Sequence, residues 1–255
     1  MTIHHSAAAG YASASDPYRT GRPGYPAEAA AWLRDIIGLR AGRTLLDLGA
    51  GTGNFIPLLK DTGAHVLALE PVPAMRDKLT ARFGDVALVP GTAEAIALAD
   101  ASVDAVICAQ SFHWFATAAA LHEIHRILAP GGMLGLIWNA RDERVPWVAA
   151  LSAITDAYEQ GTPRHKSGEW RRVFPAAGFA AIEERHADYR HEGSAEQVIV
   201  QRTMSVSFIG ALPPDEQQRV EQRVRRLIDS TPELAGKAEV AFPYRTSMFA
   251  YRRTD

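Results

Sequence analysis

Apolar and polar positions alternate along this chain with a period that changes between two and about three and a half, and each change marks an element boundary. A helix with one apolar stripe is expected at "AEAAAWLRDII", residues 27–37. From about Arg43 onward, short apolar runs alternate with amphipathic segments. "TLLDLG" reads as a strand, and Asn54 to Asp61 as the helix after it. "HVLALE" is a second strand, ended by Pro71 and followed by a helix through "AMRDKLTARF". "VALVPG" is a third, short strand. "VDAVICA" is a fourth, apolar throughout as a strand covered on both faces must be. "AALHEIHRIL" is an amphipathic helix stopped by Pro130 and the Gly131-Gly132 pair, and "MLGLIWN" a fifth strand. Strand and crossover helix repeated in this way predict an α/β, Rossmann-like, doubly wound sheet.

The last third has a different rhythm. "AIEERHADYR" and "EVAFPYRTSMFAYRR" read as strands, with helices at "SAEQVIVQRTMSVSF" and "PPDEQQRVEQRVRRLI" between them. An insert of this size, 193–236, is expected to form a helical cap over a ligand site, placed before the last strand. No repeat, low-complexity tract or linker interrupts the pattern, so residues 1–255 read as a single domain.

Composition narrows the function classes. Of 255 residues, 47% are hydrophobic and 22% charged, as in ordinary globular proteins. With 27 basic against 29 acidic residues, neither a nucleic acid nor an anionic membrane is an expected partner. The single cysteine, Cys108, excludes an intrachain disulfide, and its apolar run suits a buried thiol. The first twenty residues lack the apolar core of a signal peptide, and no stretch is long enough to span a bilayer. A cytoplasmic protein, monomer or homodimer, acting on a small molecule is the expectation.

The chemistry begins at "LLDLGAGTGNF", Leu45 to Phe55. Glycines at 49, 51 and 53, between a strand and a helix, bring bare backbone against a ligand. A dinucleotide fingerprint would place its last glycine where Asn54 stands. Asp47, just before the turn, would repel a pyrophosphate and suits an ammonium group. Glu70, ending the second strand, stands where an acid accepts ribose hydroxyls. Ribose plus ammonium without phosphate describes S-adenosylmethionine.

These motifs, with "VLALEP", "VPGTAEAIALADASVDAVICAQSFHWF" and "RILAPGGMLGLIWN", resemble those of the class I S-adenosylmethionine-dependent methyltransferases, small-molecule branch. The resemblance implies a seven-stranded sheet ending in an antiparallel hairpin, with S-adenosylmethionine as cofactor and S-adenosylhomocysteine as product. It places Asp47 with Gly49, Ala50, Gly51 and Asn54 at the methionine end, Glu70 on the ribose, and Pro71 and Met75 at the adenine. Thr92, Ala93 and Glu94 would close over the adenine, and Gln110 and Ser111 would lie beside the sulfonium. "YRTGRPGYP", in an N-terminal arm over residues 1–30, resembles a subgroup that includes trans-aconitate-type carboxyl methyltransferases. There Tyr18 and Arg22 would hold the cofactor carboxylate, while Tyr25 suits either the acceptor or packing.

Ligands of open α/β sheets sit beyond the carboxyl ends of the strands. "SFHWF" and "WNARDE" leave the fourth and fifth strands there, placing His113, Trp114, Trp138, Asn139 and Arg141 at the acceptor. His113 is the candidate general base, with a structural histidine as its alternative. "HEIH" lacks the spacing of a metal site, so no metal is expected and its residues read as surface. The arginines of "RRVFPAAGF" and "QQRVEQRVRRL" read as a solvated face, and Trp170 and Phe174 as core. The rival classes are a nucleotide-dependent oxidoreductase, disfavoured by Asp47 and Asn54, and a non-catalytic cofactor-binding protein.

Overall fold

The apolar runs become strands close to where the pattern places them. In this computed structural model, which describes residues 22–159 and 161–255, the order begins with helix α1 (Ala27–Asp35) and strand β1 (Thr44–Leu48). Then come α2 (Ile56–Lys60), β2 (His65–Leu69), α3 (Pro73–Arg82) and β3 (Ala87–Leu88). The minimal strands β4 (Gly91–Thr92) and β5 (Ala95–Ile96) form an antiparallel hairpin that the sequence pattern does not announce. β6 (Val103–Ala109), α4 (Ala118–Ile127) and β7 (Leu128–Arg141) follow. After α5 (Pro146–Asp156) come β8 (Phe179–Gly193), α6 (Arg202–Met204), α7 (Ser207–Gly210), α8 (Pro214–Ser230) and β9 (Val240–Arg253).

Seven strands form one mixed sheet in the order β3-β2-β1-β6-β7-β9-β8, with β9 lying between β7 and β8. The first five are parallel, with β1 at register Leu46↔Leu67 on one side and Leu46↔Val106 on the other. This is the expected Rossmann-like arrangement, with the late strand pair closing one edge.

Two boundaries differ from expectation. The fourth helix stops at Ile127, not at Pro130, because Leu128 is already extended and pairs with Val103. Pro130, Gly131 and Gly132 therefore lie inside β7, and a register shift between Val103 and Ala105 marks the irregularity. The helix after the glycine turn starts at Ile56 instead of Asn54, with Pro57 in its first turn.

The chain groups into two compact units. The sheet unit comprises 26–138, 163–187 and 246–255, and the helical unit takes 139–162, 188–245 and the described residues up to Tyr25. Each has its own apolar core. In the sheet unit Leu46, Val106, Cys108, Leu134 and Leu136 are buried with Ile124 and Ile127 of α4. In the helical unit Val148 and Leu151 of α5 pack with Ile199, Ile209, Val220 and Val224. The insert between β8 and β9 is helical, beginning with a π-helical turn at Glu196–Gln201, and all of it belongs to the helical unit. No helix among the described residues is long and apolar enough to cross a membrane.

Candidate functional site

The site in the sheet unit begins at Asp47, in register with Ala68 on β2 and Ile107 on β6. A carboxylate at the middle of a parallel sheet is fully buried, and neither of its oxygens meets a hydrogen-bond donor. Burial, and then the charge of Glu70, push its pKa from 3.8 up to about 7. Buried polar groups are normally satisfied, so an acid left bare here calls for a donor from a ligand.

The turn that follows is made by its glycines. Gly49 has φ +76°, and a Cβ there would lie 2.6 Å from Cβ of Ser111. Gly53, at φ +79°, would drive a Cβ into the Phe83 ring at 2.8 Å. Backbone N–H groups of Gly49 and Ala50 donate to the Leu69 carbonyl at 2.8 and 3.1 Å, tying the turn to the end of β2. One residue further, Glu70 accepts from Gly51 N at 2.8 Å through Oε2 and from Val72 N at 2.8 Å through Oε1. Burial raises the pKa of Glu70, and those two amides and Arg76 partly offset it. Each carboxylate oxygen keeps a further lone pair for a hydroxyl.

The other cofactor candidates from Asn54 to Ser111 belong to the same unit. Met75 and Ala93 are buried, and the β4–β5 hairpin carries Thr92, Ala93 and Glu94, whose Oε1 is buried without a partner. Pro71 precedes α3, and its carbonyl accepts from Arg76 at 3.0 Å. Gln110 leaves β6 in the left-handed region at φ +60°, a strained conformation for a side-chain-bearing residue. That turn brings Ser111 round to donate to the Leu48 carbonyl at 2.6 Å. Asn54 is exposed and its Oδ1 accepts from Arg82 at 2.9 Å.

Of the acceptor candidates, His113, Trp114 and Trp138 belong to this unit. Trp138 Nε1 donates to His113 Nδ1 at 3.1 Å. Burial, with His165 and Arg164 nearby, pulls the pKa of His113 down to about 3. Trp138 is stacked on His165 at 4.6 Å between ring centres and tilted on Trp170 at 4.6 Å. No motif marks His165 as part of this cluster; only the fold brings it there.

Tyr25, Asn139 and Arg141 belong to the helical unit. Asn139 Nδ2 donates to the Gly24 carbonyl at 2.6 Å, and the Tyr189 hydroxyl accepts from the backbone N–H of the same residue. Arg141 donates to Thr155 Oγ1 at 3.1 Å, and Arg22 to the Ser205 carbonyl at 3.3 Å. Asn139 is thus committed to a backbone contact that sequence reasoning did not foresee. Tyr18, like His4 and His5, lies outside the described residues.

The residues set aside in the sequence also find places. Among the described residues no group of His, Cys, Asp and Glu is arranged to hold a metal ion. His122 is exposed, but His125 is a packing residue, bonded through Nε2 to the Thr254 carbonyl at 2.9 Å. Glu123 and Arg126 form a clamp. Arg126 reaches Glu123, Asp100 and the carbonyls of Ile96 and Leu98, while Glu123 accepts from Ile96 N at 2.9 Å. Trp170 and Phe174 are core, as expected, and Arg171 lies over the Trp170 and Phe249 rings at 4.7 Å.

Comparison with known proteins gives a consistent result. A family model described as a methyltransferase domain matches residues 46–136. An uncharacterised methyltransferase-like protein of Schizosaccharomyces pombe is 35% identical over 91% of this chain and 91% of its own. An uncharacterised methyltransferase of Mycobacterium tuberculosis is 38% identical over 92% of both. Among solved structures, a type II methyltransferase candidate of Anaeromyxobacter dehalogenans superposes with a TM-score of 0.66 at 22% identity, covering 91% of this chain and 97% of its own. That last likeness is one of fold.

Proposed function

This chain belongs to the class I S-adenosylmethionine-dependent methyltransferases, and on that premise we propose that it transfers the methyl of S-adenosylmethionine to a small-molecule acceptor. The observation that carries the proposal is Asp47, fully buried with both oxygens unmet. An ammonium group supplies both the charge and the donors that this carboxylate lacks. Glu70, held by Gly51 N and Val72 N, offers its remaining lone pairs to a pair of ribose hydroxyls. Gly49 to Gly53 give the close approach, and Met75, Pro71 and Ala93 the apolar wall for an adenine.

The cofactor, when bound, supplies an activated methyl on sulfur. What the chain supplies is alignment and exclusion of water. Gln110 and Ser111 follow β6, with Ser111 beside Gly49 of the glycine turn, so they would form one wall of the transfer site. His113 and Trp114 follow at once and face the acceptor in this reading, with Trp138 holding His113 in orientation. Tyr18 and Arg22 would add the carboxylate contact, and Arg141 would steer an anionic acceptor.

Calorimetry tests the cofactor. S-adenosylhomocysteine is expected to bind in the micromolar range, NAD not measurably, and Asp47→Asn to weaken the former by at least tenfold. Tight NAD binding with none of S-adenosylhomocysteine overturns the proposal. Transfer of a labelled methyl to a panel of acids, phenols and amines tests the enzyme against a silent binder.

A further inference from the structure

His113 and Trp138 meet through one hydrogen bond whose direction is fixed by chemistry. An indole nitrogen carries a proton and has no lone pair in the ring plane, so it only donates. In the Trp138 Nε1 to His113 Nδ1 contact, at 3.1 Å, Nδ1 must therefore be the acceptor. A neutral imidazole with a bare Nδ1 carries its proton on Nε2. From this we infer that Trp138 locks His113 as a neutral Nε2–H donor, so that His113 presents a hydrogen bond to the acceptor molecule and is not a general base. The inference rests on the methyltransferase reading only for what His113 donates to.

Three features make the lock rigid. Trp138 is 1% exposed, stacked on His165 at 28° and tilted on Trp170 at 35°, with Phe249 at 68° edge-on, so its ring has one orientation. His113 sits in the 3-10 turn Phe112–Trp114, with the Trp114 amide bonded back to the Ser111 carbonyl at 2.9 Å. The groups facing His113 do not favour a second proton. His165 and Arg164 both disfavour its charged form. His165 is itself held neutral by burial and by Arg171 and His186, with Glu184 opposing. Among the described residues His113 makes no hydrogen bond besides that with Trp138.

The consequence is a statement about substrate class. To act as base through Nε2, His113 would have to carry its lone pair there and its proton on Nδ1, breaking the Trp138 bond and setting two N–H groups against each other. An acceptor at this site therefore arrives with its lone pair ready. A carboxylate, an already ionised phenol or a free amine meets that demand; an alcohol, whose proton must be taken, does not. Trp138 is then a positioning residue, acting through His113.

Long-range ¹H–¹⁵N spectra of the labelled full chain test the lock without cofactor or acceptor, with the His113 signals assigned by their loss in His113→Gln. The Nε2–H pattern is expected unchanged from pH 5 to pH 9, and Trp138→Phe, which removes the donor to Nδ1, is expected to bring in the Nδ1–H pattern while burial still holds the ring neutral. A wild-type Nδ1–H pattern, or titration between pH 5 and pH 8, overturns the inference and leaves the methyltransferase reading standing. The same variants are then run on a carboxylate, phenol or amine accepted in the methyl-transfer panel. A Gln side chain puts an amide N–H near the place of Nε2, so His113→Gln is expected to keep kcat within about tenfold while His113→Ala loses a hundredfold or more. Equal loss in both, with a wild-type rate rising through pH 6–7, overturns it by restoring the base. If no compound of the panel turns over, the methyltransferase reading fails and the spectra still decide the lock.

Discussion

At the scale of one residue, Asp47 carries both the strongest prediction and the clearest cost. Its folded pKa is raised to about 7 from 3.8, a gap of about three units that corresponds to roughly 4 kcal/mol. The sign follows from linkage: a raised acid pKa means the folded state binds the proton more tightly than the unfolded one. The burial penalty is absent below about pH 3.8, grows as pH rises and is complete above about pH 7. Asp47→Asn is therefore expected to stabilise the ligand-free protein more at pH 8 than at pH 5.5, while weakening S-adenosylhomocysteine. Thermal melts at the two pH values check it, and an equal Tm difference at both would count against the raised pKa. A ligand ammonium lowers that pKa again, so binding near pH 7 is expected to release about half a proton. Calorimetry in buffers of different ionisation enthalpy measures the release. The residue types at this site were legible because spacing carries them: Asp47, three alternating glycines and Glu70 lie in one strand-turn-helix-strand unit. His165 and Asn139 were not legible in role, since their partners lie 27 and 115 positions away in sequence.

At the scale of the element, the glycine turn and the β4–β5 hairpin are held by different means. The turn depends on backbone freedom: Gly49→Ala adds a Cβ at 2.6 Å from Ser111 Cβ at a φ of +76°. The neighbour is itself tied down by its bond to the Leu48 carbonyl. The variant is expected to lose about 2–4 kcal/mol of stability, from strain and overpacking together, which a denaturant midpoint reads directly. The hairpin has only two residues per strand and depends on α4, where Arg126 and Glu123 bind Ile96 N, Ile96 O and Leu98 O. Because these contacts are all on one side of the hairpin, Arg126→Ala is expected to loosen Thr92–Asp100 and lower cofactor affinity about tenfold with a Tm loss of only a few degrees. Loss of stability without loss of affinity would separate this hairpin from the cofactor. The same element shows where periodicity fails. Two-residue strands have no period to read, and a Pro-Gly-Gly run that usually stops a helix instead sits inside β7 as its irregular stretch, between Leu128 and Met133, which pair with Val103 and Ala105 of β6.

At the scale of the whole chain, each unit has an apolar core built from its own residues, and candidate residues named from the sequence occur in both. Asp47, Gly49, Glu70, Met75, Ala93, Ser111, His113 and Trp138 belong to the sheet unit; Arg22, Tyr25, Asn139 and Arg141 belong to the helical unit. A ligand protects amides by stabilising the states in which its contacts are formed, so exchange shows which unit each ligand engages. S-adenosylhomocysteine is expected to slow exchange at 47–53, 70–75 and 92–96. It is expected to leave the buried helices of the helical unit unchanged, since Val148, Ile199, Val220 and Val224 pack on one another and owe nothing to the cofactor. The described end of the arm, Arg22–Tyr25, is the exception that tests the cofactor role of Arg22: its amides should slow as well if Arg22 takes the ligand carboxylate. An accepted substrate added next is expected to extend protection into 139–162 and the insert 193–236. If that second step leaves the helical unit untouched, the insert is not the acceptor's cover and the acceptor is recognised wholly by the sheet unit. The insert is where the sequence was least informative, because its helices are patterned for their own core and carry no motif for a ligand.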